Sequence, residues 1–221
     1  MKIGFIVAME SEYLPFLSKL GKEVIVETLS GTQFVTYDTD GRSVVLAKCG
    51  IGEIASASAT ALLIGHYNCN YIVNFGLVGS LDNIDIRAIV AVKDVVHYDF
   101  DLTPFGRPLG MPADVDSVFL QADQTVLNGA LSILPAVRLA SGDKFVSDSE
   151  RKNKLVADFG ANICDMEGAG IALVCTRAHI PFSMIKLVSD GADEGAVETY
   201  TANKSLAFEA AVDLVLSLIK Q

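Results

Sequence analysis

The sequence has little positive charge, no tryptophan and no cysteines spaced as in a metal site or a redox motif. Seventeen basic residues stand against 27 acidic ones, so the net charge is −10. Because affinity for nucleic acid comes mostly from neutralising phosphates, this balance argues against a nucleic-acid partner and against an anionic membrane surface. The absence of tryptophan excludes nothing.

The cysteines and histidines are too scattered to indicate a metal site. The three histidines do not cluster, so no zinc site is expected. No cysteine pair forms a CxxC motif, and we predict buried, reduced thiols that act as small apolar residues. The four cysteines are Cys49, Cys69, Cys164 and Cys175.

Long apolar runs are also missing. None approaches the roughly 18 residues that span a bilayer. The first run, residues 3–9, is followed at once by Glu10 and Glu12 and lacks the length and cleavage site of a signal peptide. Because 51% of the residues are hydrophobic, a disordered chain is excluded. We predict one soluble, cytoplasmic domain over residues 1–221.

Short apolar runs rich in Val and Ile alternate with longer stretches of helical period. This alternation predicts an α/β domain of three layers, α/β/α, with a mixed, largely parallel central sheet. The early succession of three strands makes part of the sheet antiparallel. Strands are predicted at 3–8, 23–28, 33–39, 43–48, 71–75, 88–96, 136–140, 162–165 and 182–188, and helices at 11–20, 53–67, 124–131, 149–157, 167–178 and 203–220.

Glycines and carboxylates follow most of these predicted strands. Ligands of open α/β sheets bind beyond the carboxyl ends of the strands, so we expect these segments to line one cleft. Taken singly, each residue has a simpler interpretation as a turn, a helix cap or a core residue. The segments are Ala8–Glu12, Cys49–Gly52, Gly76–Ser80, Ser141–Val146, Asp165–Ala169 and Ser189–Gly191.

In combination and in order, these segments resemble the 5′-methylthioadenosine/S-adenosylhomocysteine nucleosidases of the nucleoside phosphorylase superfamily. The resemblance covers nearly the whole chain and implies a nucleoside phosphorylase-like fold. It is carried by the stretches IGFIVAMESE, KCGIGEIASASAT, VNFGLVGSL, HYDFDLTPFG with the following MP, SGDKFV, DMEGAG and LVSDGAD.

The resemblance implies hydrolysis of an N-glycosidic bond, with no metal and no cofactor, in methionine salvage. Asp190 would protonate the departing adenine, its proton held by burial and by Ser189. Glu12 would activate the attacking water. Glu167 would bind the ribose hydroxyls, with Met166 and Met9 nearby.

Further residues are assigned to substrate binding by the same resemblance. Phe145 would stack on the purine, the main chain of Val146 would read its edge, and Ile51 would line the site. Phe105 and Pro112 would reach the active site of a partner subunit, which implies a homodimer.

At four positions the sequence departs from the family pattern. Leu77 stands in place of a serine beside the attacking water, and Lys186 in place of an arginine in the same water network. Lysine keeps the charge but loses the planar fork of arginine. Asp165 replaces a glutamate, and Arg107 replaces an aromatic residue, which predicts a preference for polar 5′ substituents.

Three alternatives remain open at this point. A nucleoside phosphorylase would need cationic donors for phosphate, for which Arg87 and Lys48 are candidates. A purine-binding module without catalysis would be consistent with Leu77 and Lys186. A hydrolase of another purine nucleoside, such as a futalosine-type substrate, would use the same site.

Overall fold

Ten strands and seven α-helices make up the part of the chain that the computed structural model describes, residues 2–20, 23–39, 42–204 and 208–219. The strands are β1 (Lys2–Val7), β2 (Glu23–Leu29), β3 (Thr32–Thr39), β4 (Arg42–Lys48), β5 (Tyr71–Ser80), β6 (Ile89–His97), β7 (Leu120–Gln121), β8 (Ala136–Ser141), β9 (Ile163–Asp165) and β10 (Phe182–Asp190). The helices are α1 (Glu10–Leu17), α2 (Glu53–Gly65), α3 (Gln124–Asn128), α4 (Ser149–Phe159), α5 (Gly168–Ala178), α6 (Ala196–Asn203) and α7 (Phe208–Ile219).

All ten strands belong to one mixed sheet. β1 pairs in parallel with β4 and β5, and β5 pairs in parallel with β10. The strands β2, β3 and β4 form the predicted antiparallel segment. β10 contacts both β5 and β6, so that β5, β9, β8, β6 and β10 close into a ring. The predicted mixed α/β sheet is confirmed, and its closure into a ring is a feature that the sequence pattern did not indicate.

Helices cover both faces of the sheet because successive strand side chains point to opposite sides. In β1, Ile6 packs in one buried cluster with residues of α2 and α5. Its neighbours Phe5 and Val7 pack in a second cluster with residues of α1 and α7. The three-layer arrangement predicted from the sequence is therefore confirmed.

The prediction that a strand ends at Phe75 and a glycine turn follows is wrong, because β5 continues to Ser80. Gly76 and Gly79 remain in register with β10. A side chain at Gly79 would place its Cβ 3.0 Å from an oxygen of Asp190 and 3.1 Å from the sulfur of Cys164. These glycines leave room for site side chains within a strand instead of forming a turn.

The prediction of one final helix over 203–220 is also wrong. Asn203 ends α6, where its side-chain amide donates to the carbonyls of Ser189 and Thr199. α7 is a separate helix. No element is predicted over residues 196–202, where the structure has α6 beside the site. The connection expected at Asp40-Gly41, between the predicted strands 33–39 and 43–48, lies outside the described residues.

The four cysteines are free thiols. Cys69, Cys164 and Cys175 are buried as predicted, whereas Cys49 is only half-buried. Among the helices that the structure describes, none has the length and apolar character needed to cross a bilayer.

Candidate active site

A cavity of about 340 Å³ lies at the carboxyl ends of β1, β8, β9 and β10 and beside the last residues of β5. This is the edge of the sheet at which α/β proteins bind ligands, and the volume is in the range of small-molecule sites. The structure therefore brings most of the predicted residues together. Those lining the cavity are Met9, Glu12, Ile51, Leu77, Phe145, Val146, Met166, Glu167, Ser189 and Asp190.

Glu12 is a buried carboxyl group whose two oxygens both face backbone N–H donors. Oε2 accepts from Ala8 and Met9 at 2.9 Å each, and Oε1 accepts from Leu77 at 3.1 Å. The contact with Met9 also caps α1, so the simpler interpretation as a capping residue holds as well. Burial raises the pKa of Glu12 above its usual value, although the three N–H bonds and Lys186 oppose the rise. Donors at both oxygens favour the ionised carboxylate.

Asp190 has a different set of neighbours. Its Oδ1 accepts from the N–H of Ala192 at 2.9 Å, and its Oδ2 lies 2.7 Å from the hydroxyl of Ser189. That hydroxyl is also 3.2 Å from the carbonyl of Val78. A hydroxyl has one proton, so when Ser189 donates it to Val78 its oxygen is free to accept a hydrogen bond from protonated Asp190.

The proton on Asp190 is favoured mainly by burial. Burial raises the pKa of Asp190, and the N–H of Ala192 lowers it. Ser189 also lowers the pKa when its hydroxyl donates to the carboxylate. The expectation that Ser189 helps to hold the proton therefore applies only to the orientation in which it donates to Val78.

Glu167, the third carboxyl group, stands immediately before α5. Its Oε1 accepts from the N–H of Gly52 at 3.0 Å, which ties α5 to the glycine turn before α2. In that turn Gly52 has a φ of 104°, a conformation that favours glycine. Burial raises the pKa of Glu167 to about 7, and the neighbouring Asp165 adds to the effect. Glu167 therefore changes charge near neutral pH.

Lys186 does not line the cavity, which corrects its assignment to substrate binding. Its ammonium lies one layer behind and pairs with Asp165 at 2.6 Å, and both side chains are 1% exposed. Burial alone would lower the pKa of Lys186, but Asp165, Glu167 and Glu12 outweigh it and raise the pKa. The cation in turn lowers the pKa of Glu12 and of Glu167. Lys186 thus acts on the site through charge.

The remaining wall of the cavity is largely apolar. Phe145 lines the cavity and is 44% exposed, while Val146 beside it is buried. Ile51, Leu77 and Met166 complete this wall. An apolar surface opposite several carboxyl groups suits a ligand that combines a flat base with a polar sugar.

Tyr200, on α6, lines the cavity but is not among the residues predicted from the sequence. Its hydroxyl donates to the sulfur of Met9 at 3.0 Å, and its ring meets Phe145 edge-on at 5.8 Å. Burial raises the pKa of Tyr200, and Glu12, Glu167 and Asp190 raise it further. All three carboxyl groups therefore act on one phenol at the cavity.

Comparison with known proteins agrees with this geometry. The family model described as "Phosphorylase superfamily" matches residues 2–220. A 5′-methylthioadenosine/S-adenosylhomocysteine nucleosidase from Shewanella loihica is 32% identical over 230 residues, covering 100% of this chain and 99% of the relative. A nucleosidase of the same name from Shewanella sp. strain W3-18-1 is 34% identical over 202 residues and covers 87% of each chain. The chain belongs to this nucleosidase family.

Solved structures similar to this member of the nucleosidase family come from Helicobacter pylori. Its 5′-methylthioadenosine/S-adenosylhomocysteine nucleosidase in complex with a substituted pyrrolidin-3-ol matches with a TM-score of 0.95 and 28% identity, covering 100% of this chain and 98% of that one. A native futalosine hydrolase of the same organism also has a TM-score of 0.95 and 28% identity, with 100% and 97% covered. A mutant nucleosidase holding 5′-methylthioadenosine in its active site matches with a TM-score of 0.94 and 27% identity, with 99% and 98% covered.

Two residues that the family resemblance assigned to a partner's site lie away from the cavity of their own chain. Phe105 stands on a short 3₁₀ turn and is 82% exposed. Pro112 is buried within its own subunit, so its side chain is not available to a partner as expected. Arg107 donates to the carbonyls of Pro112 and Val115 at 3.0 and 2.9 Å and braces its own loop. Nothing in this arrangement supports the expected preference for polar substituents through Arg107.

Within the described residues, no group of three or more His, Cys, Asp or Glu side chains has the geometry of a metal site. The carboxyl groups of the cavity are held instead by backbone N–H groups, one hydroxyl and the buried lysine.

Proposed function

We propose that this protein hydrolyses the N-glycosidic bond of 5′-substituted adenosines, among them 5′-methylthioadenosine and S-adenosylhomocysteine, and releases adenine. Family membership supports the reaction class. One observation carries the assignment of roles: the cavity holds one carboxyl that can keep a proton and another whose oxygens both face N–H donors. Two carboxyl groups in contrasting environments are the usual means of providing an acid and a base at one pH.

In the proposed reaction Asp190 acts as the acid. The bond between the anomeric carbon and adenine N9 breaks while the proton of Asp190 passes to adenine N7, so that the base leaves neutral. The raised pKa of Asp190 keeps the proton available toward neutral pH. Phe145 stacks on the purine, and Val146 lies at its edge.

Glu12 acts as the base on the opposite side of the sugar. A water oxygen bonds to the anomeric carbon while one of its protons passes to Glu12. The transition state resembles an oxocarbenium ion, as in glycoside hydrolysis generally. Glu167 accepts hydrogen bonds from the ribose hydroxyls, and the charges of Glu167 and Glu12 stabilise the developing cation. Met9 and Met166 pack against the sugar.

Phosphorolysis is the weaker alternative because the candidate cations are engaged elsewhere. Lys48 pairs with Glu10, and the guanidinium of Arg87 binds the side chain of Asn203. Leu77 offers no side-chain donor. A site for phosphate needs such donors.

Release of free base with and without phosphate tests the reaction class. We expect the same rate of adenine release from 5′-methylthioadenosine in both conditions. Strict dependence on phosphate would contradict hydrolysis. Tight binding of the nucleoside without base release would show a binding module instead. The panel includes S-adenosylhomocysteine, adenosine and futalosine, because the native futalosine hydrolase structure matches this fold so well.

We also propose that the enzyme works as a homodimer in the cytoplasm, in methionine salvage. Exposed apolar side chains support the dimer: Phe105, Ile51 and Ile54 are 82%, 59% and 83% exposed. Phe105 would complete the apolar wall of the partner's cavity. Sedimentation should give a particle of two chains, and Phe105→Ala should raise KM. A monomer with full activity would exclude this arrangement.

The aromatic pair at the cavity mouth gives a testable role to Tyr200. Tyr200→Ala removes the edge-on contact with Phe145, and such pairs contribute about 0.5–1.5 kcal/mol. We expect KM for 5′-methylthioadenosine to rise about tenfold, with little change in kcat. Tyr200→Phe keeps the ring contact and should stay within about threefold of the native enzyme. Val197→Ala, at an exposed position of α6, serves as the control. Equal KM values for the three variants would show that Tyr200 does not contribute to substrate binding.

A further inference from the structure

The segment that follows the proposed acid is attached to α4 at two points. The ammonium of Lys152 donates to the carbonyl of Gly191 at 2.7 Å. The carboxylate of Glu194 accepts from the N–H and the hydroxyl of Ser149, at 3.0 and 2.7 Å. These contacts hold the two ends of the segment 191–194, which we call the acid loop.

Within the acid loop, Ala192 has a conformation that needs external support. Its φ is 49°, in the left-handed region that residues with a Cβ seldom adopt. Its N–H nevertheless donates to Asp190 Oδ1 at 2.9 Å, and its side chain is fully buried. The orientation of the acid therefore depends on a strained residue whose neighbours are held by α4.

α4 also follows the segment that faces the base. Phe145 and Val146 line the cavity, and α4 begins at Ser149 with Asp148 as its N-terminal cap. Thus α4 follows the segment proposed to contact the purine and is also bonded to the acid loop. A shift of α4 relative to the acid loop would change the distance from the base to its acid.

The charges that face Asp190 come from several elements. Lys152 on α4 lowers the pKa of Asp190, whereas Asp193 in the acid loop raises it. Cys164 on β9 and Tyr200 on α6 lie close enough for Asp190 to raise their own pKa values. Of these groups, Lys152 is the one whose removal would make Asp190 easier to protonate.

We propose that Lys152 and Glu194 are positioning residues, which fasten the acid loop to α4 and thereby set the place of the proton donor against the purine. The proposal rests on the proposed function, in which Asp190 is the acid. Neither side chain lines the cavity, so both act through the loop.

Kinetics of Lys152→Met test this role. We expect kcat to fall about tenfold with KM nearly unchanged, because a small misplacement of a catalytic group is costly. We also expect the alkaline limb of the pH profile to move up by about half a unit, since a partly exposed positive charge near the acid is lost. Lys152→Arg should restore both. Lys154→Met, at an exposed position of the same helix, should behave like the native enzyme.

Amide hydrogen exchange provides a second readout that does not need activity. Lys152→Met and Glu194→Gln should each speed exchange in residues 190–195 by about tenfold, with little change elsewhere in α4. Unchanged exchange in both variants overturns the proposal, whatever the kinetics show. If the alkaline limb of the pH profile shifts while kcat and amide exchange stay unchanged, Lys152 acts only through its charge, and the proposal is also overturned. Full activity of Asp190→Asn would refute the proposed acid, a different result from any of these.

Discussion

Replacing Asp190 by asparagine is expected to lower kcat for 5′-methylthioadenosine by about 10³-fold, within the 10²–10⁴ range typical of a lost general acid. The amide keeps the shape of the carboxyl. Its oxygen accepts from the N–H of Ala192, and its nitrogen donates to Ser189, whose hydroxyl turns to Val78. The variant should therefore fold and bind the nucleoside but lack the transferable proton.

Calorimetric titration with 5′-methylthioadenosine and single-turnover kinetics separate these effects. Binding should stay within a few-fold of the native affinity while the chemical step nearly vanishes. Asp85→Asn, at an exposed carboxylate outside the cavity, serves as the control and should change neither quantity. An Asp190→Asn enzyme with more than about a tenth of the native kcat would contradict the acid role.

The sequence could predict the acidic residues of the cavity because each follows a strand that apolar composition makes easy to recognise. Glu12, Glu167 and Asp190 stand after β1, after β9 and at the end of β10, and parallel strands bring such ends to one edge. The sequence could not assign their protonation states. Those depend on whether an oxygen faces an N–H group or a rotatable hydroxyl, which only the folded chain determines.

The wrong predictions have physical causes of the same kind. Glycine is common in turns, so the sequence predicts a turn at Gly76 and Gly79, but in β5 their missing side chains make room for the carboxyl groups of Glu12 and Asp190. The sequence does not indicate α6 because the helix is short, follows two closely spaced glycines (Gly191 and Gly195) and has a weak apolar pattern. Tyr200 was missed with it, although an aromatic residue ten positions after a candidate acid is a signal that could have been used.

Lys186 stands behind the cavity wall, where the resemblance predicts a residue of the water network. Its position suggested a contact with the attacking water. Its ammonium is buried and paired with Asp165, and its charge lowers the pKa of Glu12 and of Glu167. A buried pair of this kind cannot be inferred from two positions 21 residues apart in the sequence.

A large pH dependence of the free energy of unfolding is expected from a buried carboxyl group that has no role in the proposed reaction. Glu53, at the start of α2, is 6% exposed. It accepts from the hydroxyl of Ser141 at 2.7 Å and from the N–H of Gly170. Burial raises the pKa of Glu53 to about 8, and Asp165 and Asp143 add to the effect, although both hydrogen bonds oppose it. At neutral pH this carboxyl is largely protonated.

A raised pKa makes the native protein less stable as pH rises. Between the unfolded pKa of 4.5 and the folded pKa of about 8, the folded state of Glu53 keeps a proton that the unfolded chain releases. The free energy of unfolding then falls by about 1.4 kcal/mol per pH unit from this group, and the fall ends above pH 8. The stabilising contribution is complete only below pH 4.5.

Glu53→Gln should remove this dependence while keeping the contacts. A glutamine amide accepts from the N–H of Gly170 with its oxygen, and its nitrogen donates to the hydroxyl of Ser141, which reverses the direction of the bond that Ser141 donates to Glu53. We expect the stability of the variant relative to the native protein to increase by about 3 kcal/mol between pH 5 and pH 8. Urea unfolding at fixed protein concentration, at pH 5, 6, 7 and 8, measures the difference.

Comparing the free energy of unfolding of the native protein and of Glu53→Gln at each pH isolates the contribution of Glu53 from those of the other carboxyl groups whose pKa is raised. Glu12, Glu167 and Asp190 contribute equally to both proteins, so they cancel in the difference. Glu150→Gln, at an exposed position of α4, should give a curve parallel to the native one throughout this range. Parallel curves for Glu53→Gln as well would mean that Glu53 is already ionised in the folded protein. Its burial beside Asp165 would then have to be compensated by the donors from Ser141 and Gly170.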